Sequence, residues 1–224
     1  MVNRMKRIII TGGSDGLGAE LGRQCIADGI EVTCISRTAP DYPATHIACD
    51  LTDPDAIDKA ADLIIGVAAA APLDALVNCA GQMSVQSPGN ISYAELEQTF
   101  RLNVLAPVYL TSRLFETLAA HRADIVNVGS TVGAKAYTRQ MAYGASKWAM
   151  RGVSENWRLE LKDRGCRVIQ FNPGGFKSRI FEKATGQKPD LTAYMDAKPL
   201  AALLLFILKL PKSVEVSELL VNRK

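Results

Sequence analysis

Tyr143 and Lys147 stand four residues apart in Ala142-Tyr143-Gly144-Ala145-Ser146-Lys147. On a helix that spacing puts a phenol and an ammonium on one face. A phenol with a pKa near 10 is a poor base at neutral pH, and lowering it by about three units takes roughly 4 kcal/mol. A close cation in a partly desolvated site supplies much of that. Such a pair can pass a proton to or from a carbonyl or alcohol oxygen. A lone Y-x-x-x-K arises often by chance, so its meaning depends on its companions. Ser130, in Asn127-Val128-Gly129-Ser130-Thr131, can donate to an oxygen that gains negative charge during hydride transfer.

Asn103 is the next companion, in Arg101-Leu102-Asn103-Val104-Leu105-Ala106-Pro107. Pro107 has no N–H, so the Asn103 carbonyl loses its usual partner four residues on and the helix should kink. A carbonyl freed in this way, near the Lys147 ammonium, would hold a water that links the lysine to solvent.

The cofactor signal lies upstream. An apolar run ends in Thr11-Gly12-Gly13-Ser14-Asp15-Gly16-Leu17-Gly18. Glycines at 12, 16 and 18 let the backbone turn tightly, and the helix that follows offers free N–H groups to phosphates. The spacing is G-x-x-x-G-x-G rather than the commoner G-x-G-x-x-G. Gly12, Ser14, Asp15, Gly16, Leu17 and Gly18 are therefore expected at a dinucleotide. The second strand runs into Ser36-Arg37-Thr38. NAD sites usually place an acid there for the ribose 2′-hydroxyl, whereas an Arg pairs a 2′-phosphate. Arg37 thus favours NADP(H), with NAD(H) as the alternative. Asp50, with Leu51 beside it, is expected at the adenine. Asn78, Ala80 and Gly81 end the fourth strand where the chain must pass close to the ribose.

These residues need a scaffold. Strands are predicted at residues 7–10, 31–36, 46–49, 75–78, 124–128, 167–172 and 218–221, and helices at 17–28, 54–71, 93–121, 142–164 and 199–210. Near-continuous Ile, Val, Leu and Cys in the strands fits a parallel sheet covered on both faces. Asp53-Pro54 marks a helix start. The alternation predicts one α/β domain over residues 1–224, a three-layer doubly wound parallel sheet of Rossmann type with about seven strands. Residues 174–198 show weak periodicity and are expected to form a long functional loop.

The glycine turn, Asn78-Cys79-Ala80-Gly81, Asn103, Ser130 and Tyr143-x-x-x-Lys147 together resemble the short-chain dehydrogenase/reductase family, from about residue 7 to 221. The resemblance implies NAD(P) as hydride carrier and a tetrad of Asn103, Ser130, Tyr143 and Lys147. In it Tyr143 is the acid/base, Ser130 positions the substrate oxygen, and Lys147 binds the nicotinamide ribose while lowering the Tyr143 pKa. It also places Pro173 and Gly174 beside the nicotinamide. Phe176 falls in the same segment, and Ser178 stands where the family usually has a Thr contacting the carboxamide.

Composition narrows the rest. Of 224 residues, 48% are hydrophobic and 22% charged, with a net charge of +3, as in an ordinary globular protein without the basic stripe of a nucleic-acid binder. The five cysteines form no CxxC pair and there are two histidines, so buried thiols in a reducing compartment are expected rather than disulfides or a metal. Residues 1–7 are basic but lead into too short an apolar run for a leader. Residues 200–210 fall short of the roughly 20 that span a bilayer. A cytoplasmic protein acting on a small carbonyl or alcohol substrate follows, with neither nucleic acid nor membrane as partner. A homodimer through the helices carrying Leu114, Leu118, Trp148, Val153 and Trp157 is expected, with a tetramer as the alternative. The competing reading is a catalytically silent NADP(H)-binding redox sensor acting through a partner protein; an intact tetrad argues against it.

Overall fold

The computed structural model describes residues 5–224; the first part of the basic start, residues 1–4, lies outside them. Seven strands form one parallel sheet: β1 (Arg7–Thr11), β2 (Glu31–Ser36), β3 (Thr45–Ala48), β4 (Ala75–Asn78), β5 (Asp124–Val128), β6 (Val168–Pro173) and β7 (Glu218–Val221). Their order is β3-β2-β1-β4-β5-β6-β7. The order reverses between β1 and β4, and the crevice at that switch point is where doubly wound sheets bind ligands.

The strands show why both faces are covered. Ile8 and Ile10 of β1 belong to one apolar cluster and Ile9 to the other, because successive side chains point to opposite faces. On the first face lie α1 (Gly16–Ala27) and α8 (Ala197–Lys209), packing Leu17, Leu21, Leu204 and Leu208 against Val77, Val126 and Phe171. On the second, α2 (Pro54–Ala68), α4 (Ala106–Arg113) and α5 (Phe115–Ala120) bring Ile57, Ile64, Leu110 and Leu118 onto Leu76 and Ile125. Asp53 caps α2 by accepting from Asp55 N at 3.0 Å, with Pro54 at the first helical position.

Two segments differ from expectation. The helix predicted over residues 93–121 is α3 (Tyr93–Phe100), a π-helical segment Arg101–Leu105, α4 and α5. Pro107 cannot donate to the carbonyl four residues back, and the wider turn just before it absorbs that mismatch. Residues 174–198 also carry more order than their periodicity suggests. They hold α7 (Ile180–Thr185) and a parallel bridge between Phe176 and Met195. The remaining helix, α6 (Met141–Leu161), carries Tyr143 and Lys147.

Candidate active site

The turn between β1 and α1 is fixed by contacts that a side chain would block. Gly12 has φ +67°, and a Cβ there would lie 2.8 Å from Ala80 Cα. Only glycine suits that combination of left-handed backbone and close approach. Thr11 Oγ1 accepts from Cys79 N at 3.0 Å and Ala80 N at 3.1 Å, joining the exit of β4 to the turn. The Tyr42 hydroxyl donates to the Gly13 carbonyl at 2.9 Å from below. Gly18 packs on the Gly12 carbonyl, while Leu17 turns into the core.

At the end of β2, Arg37 is exposed and makes no ion pair among the described residues. Beside it the Thr38 hydroxyl donates to Ser14 Oγ at 3.3 Å. Asp50 Oδ1 accepts from Thr52 N and Oγ1 at 2.9 and 2.8 Å. Those bonds, with the Arg37 charge adding to them, hold the Asp50 carboxyl below its ordinary range. Leu51 is buried and lines a small cavity with Ala80, Leu102, Pro107 and Leu110.

The tetrad residues converge past β4 and β5. The Asn103 amide donates to the Gln82 carbonyl at 2.9 Å and Ser146 Oγ at 3.0 Å, while its Oδ1 accepts from Gln82 N at 2.8 Å. A Cβ on Gly81 would lie 3.3 Å from Asn103 Oδ1 and 3.6 Å from Lys147 Nζ, so a side chain there would crowd both. Lys147 Nζ donates to the Val128 carbonyl at 2.9 Å and sits 5.7 Å from the centre of the Tyr143 ring. Ser130, just past β5, caps the short turn at Thr131–Gly133, its Oγ accepting from Val132 N at 3.4 Å. Tyr143 and Lys147 are 8% and 5% exposed.

That burial acts on the titration of both groups. Desolvation pushes the Tyr143 phenol above its ordinary value, with the Ser130 hydroxyl pulling the other way. The same desolvation lowers the Lys147 ammonium to about 8, against the opposing influence of Cys79. Burial therefore disfavours the charged form of both groups.

Beyond β6, Gly174 N donates to the Val221 carbonyl at 2.7 Å, which ties Pro173 and Gly174 to β7. Phe176 and Ser178 fold back over the turn, with Ser178 Cβ 3.3 Å and the Phe176 ring 3.8 Å from where a Gly16 Cβ would stand. Ser178 Oγ is buried without a hydrogen-bond partner, as are Asn78 Oδ1 and Gln140 Oε1. An unsatisfied buried hydroxyl beside a helix N-terminus fits a polar group of a bound dinucleotide.

The profile of the short chain dehydrogenase family matches residues 6–189. The chain belongs to the short-chain dehydrogenase family. It is an NAD(P)-dependent oxidoreductase acting on CH–OH groups. This short-chain dehydrogenase is 31% identical over 194 residues to the NADPH-dependent 3-dehydrocapnine reductase of Ornithobacterium rhinotracheale, covering 80% of this chain and 69% of the relative. An oxidoreductase of the same family from Brucella ovis, solved with a partially ordered NAD, is 26% identical with a TM-score of 0.81, covering 98% and 100% of the two chains. The alcohol dehydrogenase of the archaeon Thermococcus sibiricus, solved with 5-hydroxy-NADP, shares the fold at a TM-score of 0.87 and 21% identity over 98% and 97%.

Several contacts escape the sequence reading. Asp15, expected at the cofactor, caps Gly16 N at 2.8 Å and also holds Arg179 at 3.0 Å and Lys183 at 2.9 Å. Those two residues lie more than 160 positions away, so spacing gives no hint of them. Leu114 and Leu118, expected at a dimer contact, are fully buried in the chain's own core, because α5 packs its apolar face onto the sheet. Among the described residues no helix is long and apolar enough to cross a membrane.

Proposed function

We propose that the short-chain dehydrogenase interconverts a ketone or aldehyde with its alcohol using NADP(H), and that Asn103, Ser130, Tyr143 and Lys147 carry the reaction. The observation behind this reading is the placement of Lys147 Nζ 5.7 Å from the centre of the buried Tyr143 ring and 2.9 Å from the Val128 carbonyl at the end of β5, two residues before Ser130. When bound, the nicotinamide supplies or accepts the hydride. Ser130 donates to the substrate oxygen and holds it beside Tyr143, whose hydroxyl gives up its proton in reduction and recovers it in oxidation. Lys147 binds the ribose hydroxyls and, when charged, favours phenolate. Asn103 braces Gln82 and Ser146 around that lysine.

Glycines 12, 16 and 18 with the α1 N-terminus take the pyrophosphate. Asp50 takes the adenine, and Asn78, Ala80, Gly81, Pro173, Gly174, Phe176 and Ser178 line the ribose and nicotinamide. Arg37, with Ser14 and Thr38 beside it, takes the 2′-phosphate; the NADPH dependence of the O. rhinotracheale relative agrees. Five free cysteines suit the reducing cytoplasm. Trp148 and Leu159, 49% and 74% exposed on α6, suit a homodimer contact.

A panel of ketones, aldehydes and quinones followed by NADPH and NADH absorbance tests the reading. Tyr143→Phe should lose roughly 10²- to 10⁴-fold in turnover. Arg37→Ala should weaken NADPH by about 10- to 100-fold and leave NADH nearly unchanged. Tight NADPH binding with no turnover of any carbonyl would favour the redox sensor instead, and a native preference for NADH would remove the role given to Arg37.

A further inference from the structure

The segment after β6 is held to the body of the protein in an unusual way. Helix α7 has no buried residue. Behind it, a cavity of about 450 Å³ lined by Asp15, Gly16, Ser178, Arg179, Lys188 and Leu191 separates it from α1. Ile180, Phe181 and Ala184 are half-buried, so apolar contact fixes α7 only in part. What reaches across is a shared carboxylate: Asp15 Oδ2 accepts from Arg179 Nε at 3.0 Å and Lys183 Nζ at 2.9 Å. Its other oxygen caps Gly16 N. Arg179 and Lys183, four residues apart, approach Asp15 from one side. Gly175 at one end and Gly186 at the other offer pivots.

We propose that Asp15, Arg179 and Lys183 form an ionic latch that fastens α7 onto the glycine turn and slows the release of bound dinucleotide. This rests on the reading that the glycine turn holds the cofactor. An unpaired carboxylate at the α1 N-terminus would repel an arriving pyrophosphate. With the latch closed, one anion faces two cations, and the turn is net positive. Closure and dinucleotide binding thus favour each other, and by linkage the coupling is reciprocal. The latch also presses Ser178, next to Arg179, onto Gly16. Its members are accessible enough to part: the Arg179 and Lys183 side chains are 64% and 58% exposed. A latch of this kind can open on every turnover.

The test compares the native chain with Asp15→Asn, with Arg179→Gln/Lys183→Gln, and with all three changes together. NADPH release is followed by displacement fluorescence. Each variant should release NADPH roughly three- to tenfold faster, the range expected for two exposed ion pairs on one carboxylate. The combined variant should be no faster than either, since both remove the same contact. Raising salt should speed release from the native chain more than from the variants. Additive effects, or unchanged rates, overturn the proposal. Hydrogen exchange on the cofactor-free protein gives a second reading: amides of α7 should lose protection in every variant, and unchanged protection overturns the latch. If the native chain binds neither NADPH nor NADH, it is the cofactor reading that fails, while hydrogen exchange still decides whether the carboxylate holds α7.

Discussion

Tyr143 sits where solvent cannot stabilise a phenolate, so each neighbouring donor weighs heavily on its proton. Burial raises its pKa and the Ser130 hydroxyl opposes that rise. Removing the hydroxyl therefore moves the phenol further up. Alcohol oxidation needs phenolate as base, so Ser130→Ala should shift the acidic limb of the oxidation profile to higher pH. Carbonyl reduction needs the protonated phenol and should keep its pH dependence better, although both directions lose rate because the substrate oxygen loses a donor. Rate profiles from pH 6 to 10 in each direction check this; an unmoved limb would mean that Ser130 does not act on Tyr143. Lys147 has the complementary difficulty. Its ammonium, lowered to about 8 by burial, stays mostly charged at neutral pH and begins to lose its proton just above, which caps the range over which it can favour phenolate.

Helix α6 must hold Tyr143 and Lys147 in register with β5, and a buried polar chain does this beneath it. Ser154, two turns beyond Lys147, accepts from Asn127 Nδ2 at 2.8 Å and sits 2.6 Å from Gln170 Oε1. Gln170 continues to Asn172, and Asn172 to Glu218, which pairs with Arg151 back on α6. Ser154→Ala leaves Asn127 and Gln170 each short of a partner in a buried site. It should cost about 2–4 kcal/mol in urea unfolding and lower kcat more than it raises KM; a loss under 1 kcal/mol would show that water replaces the hydroxyl. The sequence shows how much of such an arrangement can be read in advance. The strands and most helices are legible because both-face burial leaves unbroken apolar runs, and the common face of Tyr143 and Lys147 because they stand four residues apart on one helix. The π-helical segment is foreshadowed by Pro107. The Ser154 chain and the Asp15 contacts are not legible, because their members are ordinary polar residues brought together only by the strand order.

The two ends of the sheet divide the labour. The C-terminal ends of β1, β4 and β5 carry the proposed site, while the opposite end is closed by a buried ion cluster. Arg167, 3% exposed, makes two bonds to the fully buried Asp124, at 3.0 and 2.6 Å. It also donates to the carbonyls of Leu208, Leu210, Pro211 and Val214, which finish α8 and the turn after it. Lys212 reaches the same carboxylate at 2.6 Å. Asp124→Ala strands the Arg167 charge and should cost about 3–5 kcal/mol, measured by urea unfolding. The folded fraction should keep its KM and kcat, since this cluster lies at the far end of the strands from Tyr143. Replacing an isolated buried ion pair by apolar residues often restores stability. Here Asp124→Leu/Arg167→Met should not, because four backbone carbonyls lose their donor with the arginine. Recovery of native stability in that double variant would mean the cluster is a simple ion pair after all, and that the α8 terminus finds its hydrogen bonds elsewhere.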